Sequence, residues 1–417
     1  MRKYTLSPFP YYGGKSRMAG LIADMLDYNN TSMYIEPFGG ACRTLLNKPP
    51  HQSEIYCDTS RGLCTFFEIV QNEKTCAKLQ DVLLGIEPSE IEFWKAFKYK
   101  NSIEQTVLGN TTKALKRRVA EIKRNTTKEN VIDAAIDLRR AILNLEIENI
   151  IKGINKLMEY VEEQDKNSLR QFSETYQMFW NVGKDIYEKA YNEGCEWAES
   201  EQIQEYETEK QKEKRINKVG RENAFSALEN IEEPPELSVN DSIKLAAATF
   251  QTFYFSRDGM GLSYSENRGD DIKAYIKKID ELGDIGRRMK DVKILNINAW
   301  YILDRELQSG AGYLMNPNVM MYLDPSYLSV EDRETGKKEG KNLGSSYDSS
   351  FDLEQHERLV ENIIDAKAKI LLSNYDVEPY KSNLTAANGW HRYEYETKTS
   401  VGGTRDNKRT EVLWYNY

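Results

Sequence analysis

The chain's clearest chemical signal is Asp324-Pro325-Ser326-Tyr327, which follows the apolar run Val319 to Leu323. An exocyclic amine on adenine is a poor nucleophile, because its lone pair is delocalised into the ring. A carboxylate and a backbone carbonyl that accept its two hydrogens would draw the nitrogen toward tetrahedral geometry. A tyrosine ring could stack on the base. Such work needs the base out of its duplex, and the flipping cost of about a few kcal/mol has to be met by stacking and edge contacts.

Three other segments carry related chemistry. In "PFPYYGGKS", Pro8 to Ser16, the tyrosine pair Tyr11 and Tyr12 precedes a Gly-Gly turn and Lys15. A P-loop would need a glycine where Phe9 stands, so a triphosphate cradle is excluded; Lys15 suits a ligand carboxylate and the rings suit a heterocycle. In "MYIEPFGGACRTLL", Met33 to Leu46, a strand leads into Glu36-Pro37-Phe38-Gly39-Gly40 and then a helix. That is a Rossmann-like first turn without the dinucleotide G-x-G-x-x-G, and it suits a smaller nucleoside ligand. In "EIYCDTS", Asp58 ends a second strand about 20 residues later, where an acid accepts hydrogen bonds from ribose hydroxyls.

These segments have to be held by a sheet. The strand candidates are Met33 to Ile35, Glu54 to Tyr56, Val292 to Ile297, Val319 to Leu323, Lys369 to Ser373, His391 to Tyr395 and Glu411 to Tyr415. Between the fourth and fifth, Leu353, Leu359, Val360, Ile363 and Ile364 share one helical face, with Asp352 as the expected N-cap.

The middle of the chain is helical and charged. Ile136, Arg140, Leu143, Ile147, Ile150, Ile154, Leu157 and Val161 alternate by four and three, a seam that predicts a helical hairpin, with a homodimeric coiled coil as the alternative. Glu207 to Lys218 reads as a solvated helix face with i, i+4 pairs. Thr111 to Arg124 holds six basic residues against one acid, and at helical spacing these could follow a phosphate backbone or simply face solvent.

With 417 residues, 40% hydrophobic and 29% charged, the chain is expected to form two domains or one with a large insertion. A net charge of −9 argues against indiscriminate nucleic-acid coating but permits a basic groove on an acidic body. Five cysteines without a C-x-x-C pair and three histidines argue against structural zinc or a disulfide framework. No apolar run of membrane-spanning length and no signal-peptide pattern is present, so the expectation is a cytoplasmic protein with no membrane partner.

In this order, the four segments resemble the Dam-like (alpha-group) DNA adenine-N6 methyltransferases, in which a "PF-aromatic-x-GGK" segment, "EPFxGxG", an inserted recognition region and "DPPY" follow one another. "FYFSRDGMGLSYSENRG" (Phe253 to Gly269), "YDSSFDLEQHERL" (Tyr347 to Leu359), "LLSNYD" (Leu371 to Asp376) and "EVLWYNY" (Glu411 to Tyr417) extend the likeness to about half the chain. The resemblance implies an α/β, Rossmann-like S-adenosylmethionine-dependent methyltransferase fold with a large inserted, mainly helical domain. Residues 1–75 would form its cofactor half, 76–290 the inserted helical and target recognition region, and 291–417 the catalytic half.

Carried over by position, the resemblance implies S-adenosylmethionine contacts from Tyr11, Lys15, Glu36, Pro37, Phe38, Gly39, Gly40, Asp58 and Asp324. Asp324, Pro325, Ser326 and Tyr327 would be the catalytic segment, with Asp324 and the Pro325 carbonyl on the target amine and Tyr327 on the flipped adenine. Double-stranded DNA is the implied partner, with Arg257, Arg268, Lys116 and Arg287 as candidate contacts and no metal. Cys42, Asn298 and Ser326 depart from the family pattern, and none removes a group with an assigned role. The competing expectations are an RNA adenine methyltransferase and a catalytically silent DNA- or cofactor-binding homologue.

Overall fold

The structure is a computed structural model, and it describes residues 6–15, 18–27, 30–104, 107–200, 209–229, 237–328, 351, 353–398 and 408–417. It is α/β, built on one mixed seven-stranded sheet. The strands are β1 (Met33–Glu36), β2 (Ser53–Asp58), β3 (Val292–Asn296), β4 (Val319–Leu323), β5 (Lys369–Tyr375), β6 (His391–Lys398) and β7 (Lys408–Tyr415). All seven expected strands are present. Their spatial order is β3-β2-β1-β4-β5-β7-β6; the first five are parallel, and β7 runs antiparallel to both β5 and β6.

β4 has all five residues buried, as a parallel central strand covered on both faces requires. Alternate residues serve two cores. Ile35, Ile55, Met321, Leu323 and Leu372 face one, with Leu359 and Ile363 of the helix Leu353–Ile363. On the other side, Tyr56 meets Phe67, which adjoins an aromatic cluster of Phe9, Phe66, Phe250 and Phe253. The Asp352 cap and residues 347–350 of the extended likeness lie outside the described residues.

The chain falls into two compact units. One comprises Met1–Ala96, Leu237–Gly261 and Ser265–Tyr417, and the other Phe97–Glu236 with Leu262–Tyr264. The second unit is narrower than the insertion expected at 76–290. Flanking helices belong with the sheet because they are pinned to each other: Tyr275 donates to the Leu83 carbonyl at 3.0 Å, and Gln80 donates to that of Ile279 at 2.8 Å.

Within the second unit, the expected hairpin is formed by the helices Glu129–Leu143 and Ile147–Tyr160, with Gly153 closely apposed to Leu138. The heptad seam needs correction in its first half. Leu145 turns the chain at φ 54°, so Ile136 and Leu143 are exposed while Ala134, Ala135, Leu138 and Ile142 are buried; Ile147, Ile150, Ile154 and Leu157 do line the interior. A turn resets the phase of the stripe, which a continuous heptad cannot follow. Lys218 and Glu222 pair at i, i+4 on the exposed face of the helix Glu209–Glu229, whose other face buries Ala224, Phe225 and Leu228, while positions 207 and 208 lie outside the described residues. Among the described residues no helix is long and apolar enough to cross a membrane.

Candidate functional site

The sheet reverses its winding between β1 and β4, whose register pairs Ile35 with Met321. Ligands of open α/β sheets bind outside the carboxyl ends of the strands at such a switch point. Glu36-Pro37-Phe38-Gly39-Gly40 leaves β1 there, and Asp324-Pro325-Ser326-Tyr327 leaves β4 beside it.

The glycine turn is built by close contacts. A Cβ on Gly39 would lie 2.1 Å from the buried Tyr56 ring, and Tyr56 itself donates to the Gly40 carbonyl at 2.8 Å. Gly40 has φ +48°, and a Cβ on it would meet the Tyr11 ring at 2.9 Å. Cys42 adopts the left-handed conformation at φ 59°, a conformation that favours glycine, so the turn keeps its path at the expense of local strain. Asp58 closes the turn. Its Oδ2 accepts the Gly40 N–H and its Oδ1 the Ser60 N–H, both at 2.8 Å, and the carboxylate stays half-exposed.

Tyr11 is brought here by a segment far away in sequence. Its ring packs edge-on against Phe253 at 5.1 Å, while the Tyr12 N–H donates to the Gly259 carbonyl at 3.0 Å. Gly259 has φ +75°, and any Cβ on it would strike the Tyr11 backbone at 2.9 Å. The "SRDGMG" segment is therefore a backbone clamp on "FPYY".

Around Asp324 the contacts are dense. Lys15 Nζ lies 2.8 Å from Asp324 Oδ1, donates to the Gly13 carbonyl at 3.0 Å, and stands 4.5 Å from the Tyr327 ring centre. Ser373 donates to the same Asp324 oxygen at 2.9 Å and is itself bonded to the Tyr322 hydroxyl at 3.0 Å. Tyr327 is buried edge-on against Tyr375 at 4.8 Å, with its hydroxyl 3.5 Å from Glu411. Burial, followed by the nearby Asp324 and Glu411 charges, pushes its phenol well above the usual range, so it stays neutral. Pro325 is buried and Ser326 half-buried.

The residue identified least by sequence reasoning is Lys48. Its side chain is fully buried, paired with Glu54, bonded to His51 Nδ1 at 2.9 Å, and set 3.9 Å over the Tyr34 ring. Glu54 also receives two bonds from Arg288, at 2.6 and 2.9 Å. Tyr34 donates to Glu36 at 2.8 Å, so this network reaches the first strand's carboxyl end. Burial alone would raise Glu54, but Arg288 and Lys48 together hold it below its usual value. Ser373, Tyr34 and Lys48 were absent from the expected site; "LLSNYD" contains Ser373 and "MYIEPFGGACRTLL" contains Tyr34, but neither segment assigned them a role.

The remaining candidates are dispersed. Phe38 contacts Phe351, which stacks on Trp300, so it belongs to an aromatic patch beside the turn. Asn298 uses its amide oxygen to accept the Trp300 N–H at 3.0 Å. Arg268 donates to the Tyr254 carbonyl at 3.1 Å and to that of Ser256, which gives it a structural task in the clamp. Arg257 is exposed, and Arg287 is exposed and paired with Asp284. Lys116 is exposed on the helix Val107–Arg124 of the second unit, where burial of its stem and the nearby Arg139 and Lys113 charges lower its pKa. On that helix Arg118 is committed to Asp165 at 2.8 Å and Ser168 at 3.2 Å, so the basic run is partly internal bracing.

The site can therefore hold a cation or amine at Asp324, a planar group near Tyr327, and a polar ligand along the Glu36 to Gly40 turn. Among the described residues no cluster of three or more His, Cys, Asp or Glu is arranged to hold a metal ion. A scan of protein-family models finds no match to the chain, and a search of curated proteins finds no relative.

Proposed function

We propose that the protein is a methyltransferase that uses S-adenosylmethionine to methylate the exocyclic N6 amine of adenine in double-stranded DNA, on the Rossmann-like fold of that enzyme class with the helical second unit inserted. The observation that carries this reading is that Asp324 and Tyr327 already hold a nitrogen donor between them. The Lys15 ammonium is bonded to the carboxylate and lies over the ring, which is the pair of contacts an aromatic amine and its base would make.

The residues at the turn fit the cofactor. Gly39 and Gly40 press backbone between two tyrosines where a side chain would intrude, leaving a backbone cradle. Glu36 offers a carboxyl for an amino acid's ammonium, Lys15 a cation for its carboxylate, and Asp58 a half-exposed carboxylate for ribose hydroxyls. When bound, S-adenosylmethionine supplies a methyl group activated by its sulfonium.

The chain's own groups do the alignment. Ser373 fixes the orientation of Asp324, which accepts one amine hydrogen while the Pro325 carbonyl accepts the other. The nitrogen lone pair is freed for direct displacement, and the surplus proton leaves to solvent afterwards. Aligning two bound reactants is worth about 7–11 kcal/mol in well-oriented cases. Lys15 has to leave the Tyr327 face before a base can stack there, and a ligand carboxylate would draw it away. Exposed Arg257 and the basic helix Val107–Arg124 support a polyanionic partner.

The test is expression in a host without adenine methylation, followed by sequencing of its DNA for N6-methyladenine, repeated with Asp324→Ala. Modification lost in the variant is expected. Unmodified DNA from a wild-type protein that binds the cofactor would favour the silent reading, and methylated RNA alone would replace the substrate class.

A further inference from the structure

We propose that Tyr34 and Lys48 are positioning residues for Glu36, and that they make cofactor binding at this site proton-linked. The inference rests on the methyl-donor reading of the site. Glu36 is 3% exposed, and Tyr34 is fully buried, donating to Glu36 Oε2 at 2.8 Å. Lys48 stands 3.9 Å over the face of the same ring, and its charge acts on Glu36. The groups facing Glu36 are Tyr34 on its own strand, Lys48 and Cys42 at either end of the helix Arg43–Asn47, and Asp324 and Tyr322 at the end of β4; the Leu45 N–H also points to it.

A buried carboxyl next to a cation it cannot touch is poised between two states. Burial raises Glu36 to about 8, with the Tyr34 hydrogen bond and then Lys48 pulling in the opposite direction and Asp324 adding to the rise. At neutral pH the resting group is mainly protonated. The ammonium of S-adenosylmethionine, which the nearby sulfonium lowers from the free amino-acid range to about the 7.7–8.0 of a peptide α-amino group, brings a second titratable proton. The ion pair they form holds one proton between them, so binding below pH ~8 releases one to the buffer. Above it, with Glu36 ionised and the amine neutral, binding takes one up. Affinity therefore peaks near pH ~8 and falls about tenfold per unit on the acid side. Lys48, lowered to about 8 chiefly by burial, loses its charge over the same range, which relieves its repulsion of the ligand's ammonium and softens the alkaline limb.

Tyr34→Phe keeps the ring beneath Lys48 and removes the hydrogen bond that favours ionised Glu36. The acid limb then moves to higher pH. The experiment is isothermal titration of the full chain with S-adenosylmethionine from pH 6 to 9, in buffers of differing ionisation enthalpy, for the wild type, Tyr34→Phe and Glu36→Gln. Expected are nearly one proton released at pH 6.5 by the wild type, a threefold or greater loss of affinity for Tyr34→Phe at pH 7, and a flattened acid limb for Glu36→Gln. Wild-type binding without pH dependence or proton release, or a Tyr34→Phe profile that superimposes on the wild type, overturns the proposal alone. Absence of binding at every pH overturns the cofactor reading and this proposal with it.

Discussion

The Lys15 ammonium lies 2.8 Å from Asp324 Oδ1, joining the first described segment of the chain to the end of the sheet's central strand. Both side chains are mostly buried, so the pair is shielded from water. Lys15→Met should leave that carboxylate oxygen with Ser373 as its partner and cost about 1–3 kcal/mol of stability. Urea unfolding measures the loss, and a cycle with Asp324→Asn should give a coupling of about 0.5–3 kcal/mol. Additive single effects would mean that the ion pair contributes nothing to folding.

Ser373 acts through Asp324. On the proposed methyltransferase reading, Ser373→Ala should lower kcat roughly 10- to 100-fold, since small misplacements of aligned groups are that costly. KM for S-adenosylmethionine should hold steady, and Ser373→Thr should recover part of the rate. A change confined to KM would assign Ser373 to binding instead.

At the glycine turn the relevant variant is Gly39→Ala. Its methyl group would land 2.1 Å from a tyrosine ring that is itself fully buried. Overpacking of this kind costs about 1–3 kcal/mol, and displacement of Tyr56 should also break its bond to the Gly40 carbonyl. A fall in the urea midpoint together with weaker cofactor binding is expected; an unchanged midpoint would show that the turn opens freely.

The buried cluster behind the site predicts acid sensitivity. His51 is lowered to about 4, by burial first and by Lys48 next, against about 6.5 in an unfolded chain. Between those values the unfolded state binds more protons, so stability is lost as pH falls through that window, and Glu54, held low, contributes in the same direction. Glu36, raised to about 8, works with the opposite sign from pH 4.5 to 8. The informative quantity is therefore the difference between wild type and His51→Gln, which should widen in the wild type's disfavour as urea titrations move from pH 7 to 4.5. Parallel curves would place no proton linkage at His51.

Arg257 and Arg268 separate a surface role from an internal one. If DNA is the partner, as proposed, replacing Arg257 with alanine should reduce the salt slope of binding by about one unit. Arg268→Ala, which removes the Nη1 that donates to both the Tyr254 and Ser256 carbonyls, should leave the slope alone and lower stability by about 1–3 kcal/mol. A salt slope altered by Arg268→Ala in a fully stable protein would reverse these assignments.

The sequence by itself determined the seven strands and the candidate residues at their carboxyl ends, because both are local. A run such as Val319 to Leu323 has one stable environment, between parallel neighbours, and an acid, proline or glycine pair after it ends the strand. Some of what followed was not local. The phase of the Ile136 to Val161 stripe was decided by a left-handed turn at Leu145, which no heptad count registers. The limits of the second unit were decided by where helices such as that bearing Tyr275 find their partners. Tertiary structure alone brought Lys15 onto Asp324, clamped Tyr11 beneath Gly259, turned Arg268 inward and buried Lys48 behind Tyr34. Each of these rests on contacts between segments distant in the chain, and a buried charge takes its role from what surrounds it rather than from its position in the sequence.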